Sequence, residues 1–450
     1  MSETKRLADY TVHLSFADLS ADVVEMAKLS LLDWLGCCIR GFYEKPALIA
    51  QEVLKPQAPE GKATVFSQNP WRTSALFASL LNGLASHALD MDDVHTASQT
   101  HLGVAVIPAA LAAAQELPAV SGKELITAIV AGYEIMGRVG RSVMPDSYYY
   151  WHTTGTAGAF GSAAAAGKLL ALNADEMVFC LGSAGTQAAG LFEFLKDGTN
   201  SKTLHAGKAA FNGLLSAQLA KKGFTAAYKI LEGEKGFLNA MSQKPQPNLL
   251  TEGLGQGFII SENSFKPYAC CRWTHPAIGA ALAIRARNNP DLTAIKKITI
   301  KTDDTGLDVT DNANPQTIYG CKFSIQYCVA AALLFGRLGI NEFSEENIKN
   351  PDILRLIGLC ATIAIDREAA GRGEVDGRTV VRIEMTDGSV LEEKVLLPLG
   401  DSQNPMKFSD IEDKFRSLTE SVCTNQQIAD ILRFVWELEQ LQSVSEAFNF

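Results

Sequence analysis

The apolar positions in the first half of the chain recur at the three- and four-residue spacing of amphipathic helices. Alanine and glycine are frequent in these segments, and small side chains allow helix axes to approach closely. The pattern therefore predicts a compact body of packed helices. The predicted helices are Ala21–Ile39, Thr73–Leu89, Ala105–Gln115, Lys123–Ser142, Gly158–Leu172, Ala174–Leu195 and Ala206–Lys222.

Beyond residue 255 the pattern changes, and segments with the alternation of β-strands appear between helical segments. The Asp387–Gly388 pair lies between two of them and is a strong signal for a hairpin turn. The predicted strands are Lys296–Thr302, Ala361–Asp366, Thr379–Met385 and Val390–Leu396, and the predicted helices are 275–287, 324–336 and Phe408–Gln442.

These elements predict a mainly α fold with two domains. A large all-helical domain is expected over residues 1–260, which the C-terminal helices at 405–450 could complete. A smaller α+β domain with an antiparallel sheet is expected over residues 261–404. A chain of 450 residues is long enough to bury two such cores.

The composition narrows the function classes. The net charge of −10 argues against nucleic acid or an anionic membrane surface as a partner. No glycine-rich phosphate loop follows a predicted strand, so nucleotide binding is not expected. The first residues, MSETKRLADYTVHLSF, contain no apolar core of a signal peptide, which favours a cytoplasmic protein.

The nine cysteines lack the spacing of zinc or iron–sulfur sites. Two adjacent pairs, Cys37–Cys38 and Cys270–Cys271, are present, but no pair is separated by two residues. Reduced and mostly buried thiols are therefore expected, and an iron–sulfur cluster is not.

The densest cluster of titratable groups lies in residues 88–103, directly before the Ala-rich run Val104–Ala114. Such groups beside a buried helix cost free energy unless they form hydrogen bonds or carry a function. A divalent metal is one interpretation, but consecutive carboxylates at a helix end point in different directions. An acid–base site needs only one carboxylate that orients a histidine. Asp93 is predicted to orient His101 or to act as a general base, while Asp90 and Asp92 are expected to cap a helix or face solvent.

Two further blocks lie at the starts of predicted helices. His152 precedes a Thr/Gly-rich turn, whose free N–H groups favour an anion, so His152 is a candidate carboxylate ligand or proton donor. The alternative is a capping histidine without another role. Lys202 and His205 lie before another Ala-rich helix, where cations oppose the helix dipole unless an anion binds. Lys202 is therefore predicted to clamp a carboxylate or donate a proton, whereas Lys208 is expected on the surface.

The second half of the chain adds two blocks, KPYACCRWTHPAI (266–278) and KFSIQYCVAAALL (322–334). Arg272 suits bidentate carboxylate binding, and His275 lies three residues later. Tyr327 could donate a proton or could be a core phenol with one hydrogen bond. No Gly-x-Ser-x-Gly elbow is present. Histidines, lysine, arginine, a carboxylate and a phenol together suit a small polycarboxylate and chemistry at a carbon next to a carboxylate.

These blocks resemble the MmgE/PrpD family along nearly the whole chain. The matching motifs are LLDWLGCCIRGF (31–42), YEIMGRVGR (133–141), HTTGTAGAFGSAAAAGKLL, KTLHAGKAAFNGLL, ILEGEKGF (230–237), CCRWTHPAI and KFSIQYCVAAALL. The family includes 2-methylcitrate dehydratases, cis-aconitate decarboxylases and iminodisuccinate epimerases. The resemblance implies that the α+β domain is a lid, that the active site lies in the cleft between the domains, and that the protein is a homodimer without a metal or an iron–sulfur cluster.

Carried over from the family, the active-site positions fall on Asp93, His101, His152, Lys202, His275 and Tyr327. The chain departs from the family at two of them. The family commonly has His-Pro-Gly where this chain has His101–Leu102–Gly103, and a His-Pro-Thr-Gly-like sequence where it has His152–Thr153–Thr154–Gly155. Both histidines are kept, but loop stiffness and pocket shape differ, and these bear on the substrate.

The sequence thus predicts a cofactor-independent lyase, either a dehydratase or a decarboxylase, for a small di- or tricarboxylate such as 2-methylcitrate or cis-aconitate. The predicted catalytic residues are Asp93, His101, His152, Lys202 and Tyr327, and the predicted substrate ligands are His275, Arg272 and Lys202. One alternative is an epimerase of a dicarboxylate such as iminodisuccinate. A second is a non-catalytic helical dimer that binds a carboxylate as a sensor.

Overall fold

The computed structural model describes residues 2–365 and 379–445. The fold of these residues is mainly α-helical, as predicted. The α-helices are, in chain order, α1 (Glu3–His13), α2 (Ala21–Gly41), α3 (Lys45–Leu54), α4 (Ala75–Ser86), α5 (Gly103–Glu116), α6 (Gly122–Ser142), α7 (Thr153–Leu169), α8 (Ala174–Gly185), α9 (Phe194–Asp197), α10 (Ser201–Lys221), α11 (Phe237–Met241), α12 (His275–Asn288), α13 (Asp304–Thr310), α14 (Ile318–Lys322), α15 (Ile325–Phe335), α16 (Glu345–Ile348), α17 (Pro351–Leu359), α18 (Phe408–Thr419) and α19 (Asn425–Trp436).

The described strands form a two-stranded hairpin and a four-stranded sheet. They are β1 (Ala63–Val65), β2 (Trp71–Thr73), β3 (Ile295–Thr302), β4 (Cys360–Ala364), β5 (Thr379–Met385) and β6 (Val390–Val395). No helix within the described residues is both long enough and apolar enough to cross a membrane.

The chain divides into two compact units. The helical unit comprises the described residues up to Phe194, then Asn200–Ser264, and those from Lys407 onward. The α+β unit comprises Leu195–Thr199 and the described residues of Phe265–Met406.

In the helical unit, α7 packs against α5, α6 and α10, and α10 also packs against α4. Glycines allow these close approaches. A Cβ on Gly161 of α7 would lie 2.8 Å from the carbonyl oxygen of Gly132 in α6, and one on Gly207 of α10 would lie 2.3 Å from the carbonyl oxygen of Leu80 in α4. The small residues seen in the sequence therefore set the helix spacing, and this spacing brings the end of α4 and the starts of α5, α7 and α10 together.

The helices predicted for the first half are found as α2, α4, α5, α6, α7, α8 and α10. The largest differences concern α7 and α8. Helix α7 begins at Thr153, five residues before the predicted start, so that His152 is its N-cap residue. Helix α8 ends at Gly185, ten residues before its predicted end at Leu195, and the chain then passes through Gly190, whose φ of +143° suits glycine. Helices α1 and α3 and the β1–β2 hairpin were not predicted.

In the α+β unit, the strand order is β4-β3-β5-β6. The predicted hairpin is present as the antiparallel pair β5–β6, and β5 also pairs antiparallel with β3. The expectation of a wholly antiparallel sheet is wrong, because β4 runs parallel to β3. The connection between them contains α13 to α17 and is long enough to return the chain in the same direction. The predicted strand 361–366 corresponds to β4, and its last residue, Asp366, lies outside the described residues.

Candidate functional site

Histidines at four helix ends form one buried cluster in the helical unit. His87 follows α4, His101 lies two residues before α5, His152 precedes α7, and His205 lies in the first turns of α10. The ring centroids are 4.7 Å apart for His87 and His101, 5.6 Å for His87 and His152, and 5.4 Å for His152 and His205. These four residues are called the histidine cluster below.

The carboxylate of Asp92 joins two rings of the cluster. Nδ1 of His87 lies 3.0 Å from both carboxylate oxygens, and Nδ1 of His101 lies 2.8 Å from Oδ2. Asp92 is buried, which by itself raises its pKa, but the adjacent His87 and His101 hold the pKa well below its ordinary value. Asp92 therefore acts as a buried anion that fixes the orientation of two imidazoles.

The expectation that the Asp93 carboxylate orients His101 is corrected by this arrangement. Its carboxylate instead accepts hydrogen bonds from the Tyr133 hydroxyl at 2.7 Å, the Asn263 amide at 2.8 Å and the Gly103 N–H at 2.9 Å. Only the backbone carbonyl of Asp93 meets His101, at 2.8 Å from Nδ1. Burial and the nearby charge of Asp33 raise the pKa of Asp93 to about 7. Asp93 thus holds the start of α5 in place.

Asp90 is also neither a cap nor a solvated residue. Both of its carboxylate oxygens lie 3.0 Å from Nζ of Lys202, and both side chains are buried. Asp90 has a φ of +56°, a left-handed conformation that is uncommon for a residue with a side chain. The structure therefore places the ammonium of Lys202 in the protein interior, with Asp90 as its counter-ion.

His152 lies between the cluster and a loop. Its backbone N–H donates to the carbonyl of Gly190 at 2.9 Å, and its ring stacks on His87 with an interplanar angle of 9°. Nδ1 lies 3.2 Å from Nδ1 of His205, while the buried Nε2 has no hydrogen-bond partner within the described residues. Burial and the neighbouring His87 and Lys202 lower the pKa of His152 well below its ordinary value. The ring is therefore neutral at neutral pH.

The start of α7 also positions His101. The hydroxyl oxygen of Thr154, in the first turn of α7, accepts the backbone N–H of His101 at 3.0 Å. His101 keeps a small exposed fraction, 9%, whereas His87 and His152 are each 1% exposed. Three residues of this unit that were predicted to carry cations or protons thus lie in one buried region, as the sequence suggested. They are His101, His152 and Lys202.

The sequence analysis missed His87 and gave no role to His205. His87 stands five residues before Asp92, just outside the block 88–103, but a histidine after a helix is ordinarily a capping residue, and no local signal separates the two cases. His95, in contrast, lies in the dense block without joining the cluster. Its Nδ1 is 2.7 Å from the Ser98 hydroxyl, and its Nε2 is 3.2 Å from Glu262.

The side chains of His87, Asp92 and His101 are also the group within the described residues that could hold a metal ion, since one ligand atom from each lies within 4.8 Å of the others. In this structure, however, the imidazole nitrogens point at the Asp92 carboxylate and form hydrogen bonds with it. A cation would have to replace these bonds, so the geometry fits an acid–base cluster better than a preformed metal site.

The remaining predicted residues belong to the α+β unit, and each has its own partner there. Arg272 forms an ion pair with Asp401 at 2.9 Å. Nε2 of His275, at the start of α12, lies 3.2 Å from the carbonyl oxygen of Cys270. The hydroxyl of Tyr327 in α15 donates to the carbonyl oxygen of Glu342 at 2.6 Å. Their participation in the same site as the histidine cluster stays a prediction.

Family models match most of the chain. The model described as the MmgE/PrpD N-terminal domain matches residues 5–250, and that of the MmgE/PrpD C-terminal domain matches residues 268–440. The resemblance drawn from the sequence motifs is thereby confirmed.

Similar proteins include lyases from fungi and animals. The cis-aconitate decarboxylase-like protein oryM of Aspergillus oryzae is 30% identical, and the similarity covers 98% of this chain and 96% of the relative. The cis-aconitate decarboxylase of Homo sapiens is 26% identical over 99% of this chain and 93% of the relative. A probable 2-methylcitrate dehydratase of Saccharomyces cerevisiae is 22% identical over 83% and 77%.

Proposed function

We propose, from the premise that this chain belongs to the MmgE/PrpD family, that it is a lyase for a small di- or tricarboxylate, with cis-aconitate as the first candidate. The cis-aconitate decarboxylases of Aspergillus terreus and Homo sapiens resemble the chain over nearly its full length. The probable 2-methylcitrate dehydratase resembles it over a smaller part and at lower identity, so dehydration of 2-methylcitrate is the second candidate.

The observation that carries the proposal is the buried histidine cluster beside Lys202. The protein has a net charge of −10, yet this region contains the ammonium of Lys202 and four imidazoles. Three of these imidazoles, those of His87, His101 and His152, are almost fully buried. Cationic and N–H-donating groups act most strongly on an anion where water is excluded. The N–H groups of the cluster and the Lys202 ammonium can therefore hold the carboxylates of a polyanion.

Decarboxylation of a tricarboxylate gives carbon dioxide and a carbanion, which takes up one proton. Starting from the trianion, the balanced step consumes one proton and releases carbon dioxide and an unsaturated five-carbon dianion. In our scheme His101, whose ring lies beside the Asp92 anion, delivers this proton, and the N–H at Nε2 of the neutral His152, which lacks a hydrogen-bond partner within the described residues, donates a hydrogen bond to the substrate. Lys202 holds a carboxylate of the substrate, and preorganised donors stabilise the charge that develops as the bond breaks.

His101 differs from His152 because its ring faces an anion. The pairing of Nδ1 with Asp92 stabilises a positive charge on the ring, which suits His101 to hold a carboxylate or to donate a proton. Asp92 and His87 position the two rings in this scheme. Asp93 supports them indirectly, since it fixes the start of α5 next to His101.

The resemblance alone supports roles for His275, Arg272 and Tyr327 as further substrate ligands or proton donors. The same holds for a lid movement of the α+β unit that would exclude water, and for a homodimer without a bound metal. Size-exclusion chromatography with light scattering tests the dimer. Dialysis against a chelator, followed by a turnover assay, tests the independence from metal.

The decisive experiment offers cis-aconitate, 2-methylcitrate, citrate and iminodisuccinate separately to the purified protein. Products are identified by proton NMR and released carbon dioxide is measured. Conversion of cis-aconitate to an unsaturated five-carbon diacid with equimolar carbon dioxide is expected. Loss of water from 2-methylcitrate would make the protein a dehydratase. If the incubation is done in deuterated water, deuterium uptake at an inverted centre without new unsaturation would make the protein an epimerase. Binding of polycarboxylates without any turnover would overturn the proposal in favour of a sensor.

A further inference from the structure

We propose that His205 is a positioning residue that holds His152 in the tautomer with its proton on Nε2. The inference rests on the proposed function and deepens it, because it makes His152 a hydrogen-bond donor to the substrate rather than an acceptor. It rests on the contact between the two rings, on the loop that fixes this contact and on the different surroundings of the rings.

The two Nδ1 atoms lie 3.2 Å apart. At this distance one nitrogen must donate a hydrogen and the other must accept it, since two lone pairs or two N–H groups would repel each other. Burial, together with the neighbouring His87 and Lys202, lowers the pKa of His205 to about 4 and holds that of His152 well below its ordinary value. Both rings are thus neutral at neutral pH, and each carries one proton.

An anionic ligand decides between the two arrangements. If His152 donated through Nδ1, its Nε2 would present a lone pair to the carboxylates of the substrate, which is repulsive. If His205 donates, Nδ1 of His152 accepts and Nε2 carries the proton toward the ligand. Because Nε2 of His152 is buried and meets no acceptor within the described residues, a substrate atom supplies the acceptor that this N–H requires.

The surroundings of His205 suit the complementary tautomer. His205 is half-buried and lines a cavity of about 840 Å³ together with Trp151, Gln187, Glu193 and Lys208. Its Nε2 can therefore accept a hydrogen bond from water or from a polar group of the cavity wall. His152 has no comparable access, since only 1% of it is exposed. His205 is thus the ring that can adopt the tautomer without a proton on Nε2, because that nitrogen can still accept a hydrogen bond in the cavity.

One loop residue fixes both rings. The carbonyl of Gly190 accepts the backbone N–H of His152 at 2.9 Å, and a Cβ at Gly190 would lie 3.1 Å from Nδ1 of His205. The ring of Phe194 meets His205 edge-on at 5.7 Å. The charged and titratable groups around His205 are His152, His87 and Lys202 on the cluster side and Lys208 and Glu193 at the cavity.

Two variants of similar shape test the inference. In H205N the amide nitrogen takes the place of Nδ1 and can still donate to His152. In H205D a carboxylate oxygen occupies the same place and can only accept, so His152 must donate through Nδ1, lose the proton from Nε2 and rise in pKa. H205A removes the partner altogether. Thermal unfolding and near-UV circular dichroism show whether each variant keeps the native fold.

The tautomer is read from the nitrogen chemical shifts of ¹⁵N-histidine-labelled protein, free and with tricarballylate, a saturated tricarboxylate. The signal of His152 is identified from H152Q, and the exposed His13 serves as reference. Wild type and H205N are expected to show a protonated Nε2 and a bare Nδ1, and H205D the reverse or an imidazolium. A bare Nε2 in the wild type, or the same tautomer in H205D, would overturn the inference.

Kinetics provide a second measurement. H205D is expected to lose about 100-fold in kcat with a smaller change in KM, whereas H205N loses less than about tenfold. Equal losses in the two variants would indicate a purely structural role. The NMR result does not depend on turnover. If the wild type acts on no polycarboxylate and does not bind tricarballylate, the proposed function fails, while the tautomer of His152 in the free protein still decides the role of His205.

Discussion

The histidine cluster of the helical unit and the predicted site residues of the α+β unit are built in different ways. In the cluster, polar groups share partners: one carboxylate, Asp92, serves both His87 and His101. In the α+β unit, each residue has a partner of its own, as Arg272 has Asp401 and Tyr327 has the carbonyl of Glu342.

This difference bears on the chemistry that each region can perform. Within the cluster, a proton on one ring changes the energy of a proton on the next, because the rings lie in contact and are shielded from water. Tyr327, whose pKa is raised by burial, keeps its proton in a hydrogen bond to a backbone oxygen. We therefore expect proton transfer from the cluster, and binding or orientation of substrate from the α+β unit.

The largest expected effect is the loss of turnover in H101Q. The variant removes a ring whose orientation Asp92 fixes, and we expect kcat to fall by roughly 10²–10⁴. Steady-state kinetics on the substrate identified above measures it. H13Q, which changes an exposed histidine of α1, is the matched control and should retain full activity. A loss of only about threefold in H101Q would refute the assignment of His101.

The second effect concerns the buried ion pair of Lys202 and Asp90. K202M leaves the Asp90 carboxylate without its counter-ion, and we expect the free energy of unfolding to fall by about 3–5 kcal/mol. The double variant D90N/K202M should recover part of this loss, because no buried charge is left unpaired. Urea unfolding compares the variants with K208M, which removes an exposed lysine of the same helix. If K202M and K208M lower the free energy of unfolding by the same amount, the Lys202–Asp90 ion pair is not buried as described.

The third effect is a pH dependence that arises from Asp93. Its pKa in the folded protein is about 7, above the ordinary value of 3.8. Between these values the folded state keeps a proton that the unfolded chain has released, so this group makes the protein less stable as pH rises. We expect D93N to remove a decline of up to roughly 4 kcal/mol over this range.

Urea unfolding of the wild type and D93N across this pH range tests the prediction, with D413N, a change of an exposed aspartate in α18, as control. Parallel pH profiles of the wild type and D93N would contradict it. A profile that rises with pH in the wild type and flattens in D93N would show that Asp93 is held as a carboxylate by its three hydrogen bonds.

The smallest effect is expected in the α+β unit. Y327F removes one buried hydrogen bond, which should lower the free energy of unfolding by about 1 kcal/mol. Turnover should fall by about tenfold or less, because the ring and its stacking on Phe343 remain. Y149F, at an exposed tyrosine, is the control. A loss as large as that of H101Q would place Tyr327 among the proton-transfer residues and remove the contrast between the two regions.

Much of the fold follows from local sequence patterns. The helical spacing located α2, α5 and α6 to within two residues at each end, whereas α10 begins five residues before its predicted start. The Asp387–Gly388 turn located the β5–β6 hairpin. The parallel pairing of β4 with β3 could not be predicted, because it depends on how a long connection crosses the unit and no local pattern records that path. Helices α1 and α3 were not predicted, because no helical periodicity was recognised in those two segments.

The residue pattern was sufficient to predict that His101, His152 and Lys202 lie near the starts of small-residue helices, which pack closely enough to bring these side chains together. Which acid meets which base follows from the packing of those helices: Asp92 meets the imidazoles, Asp90 the ammonium and Asp93 the N-terminus of α5. Three carboxylates within four residues are equivalent in composition and spacing. Their directions depend on backbone angles such as the positive φ of Asp90, and the packed helices around them, not the neighbouring residues, fix those angles.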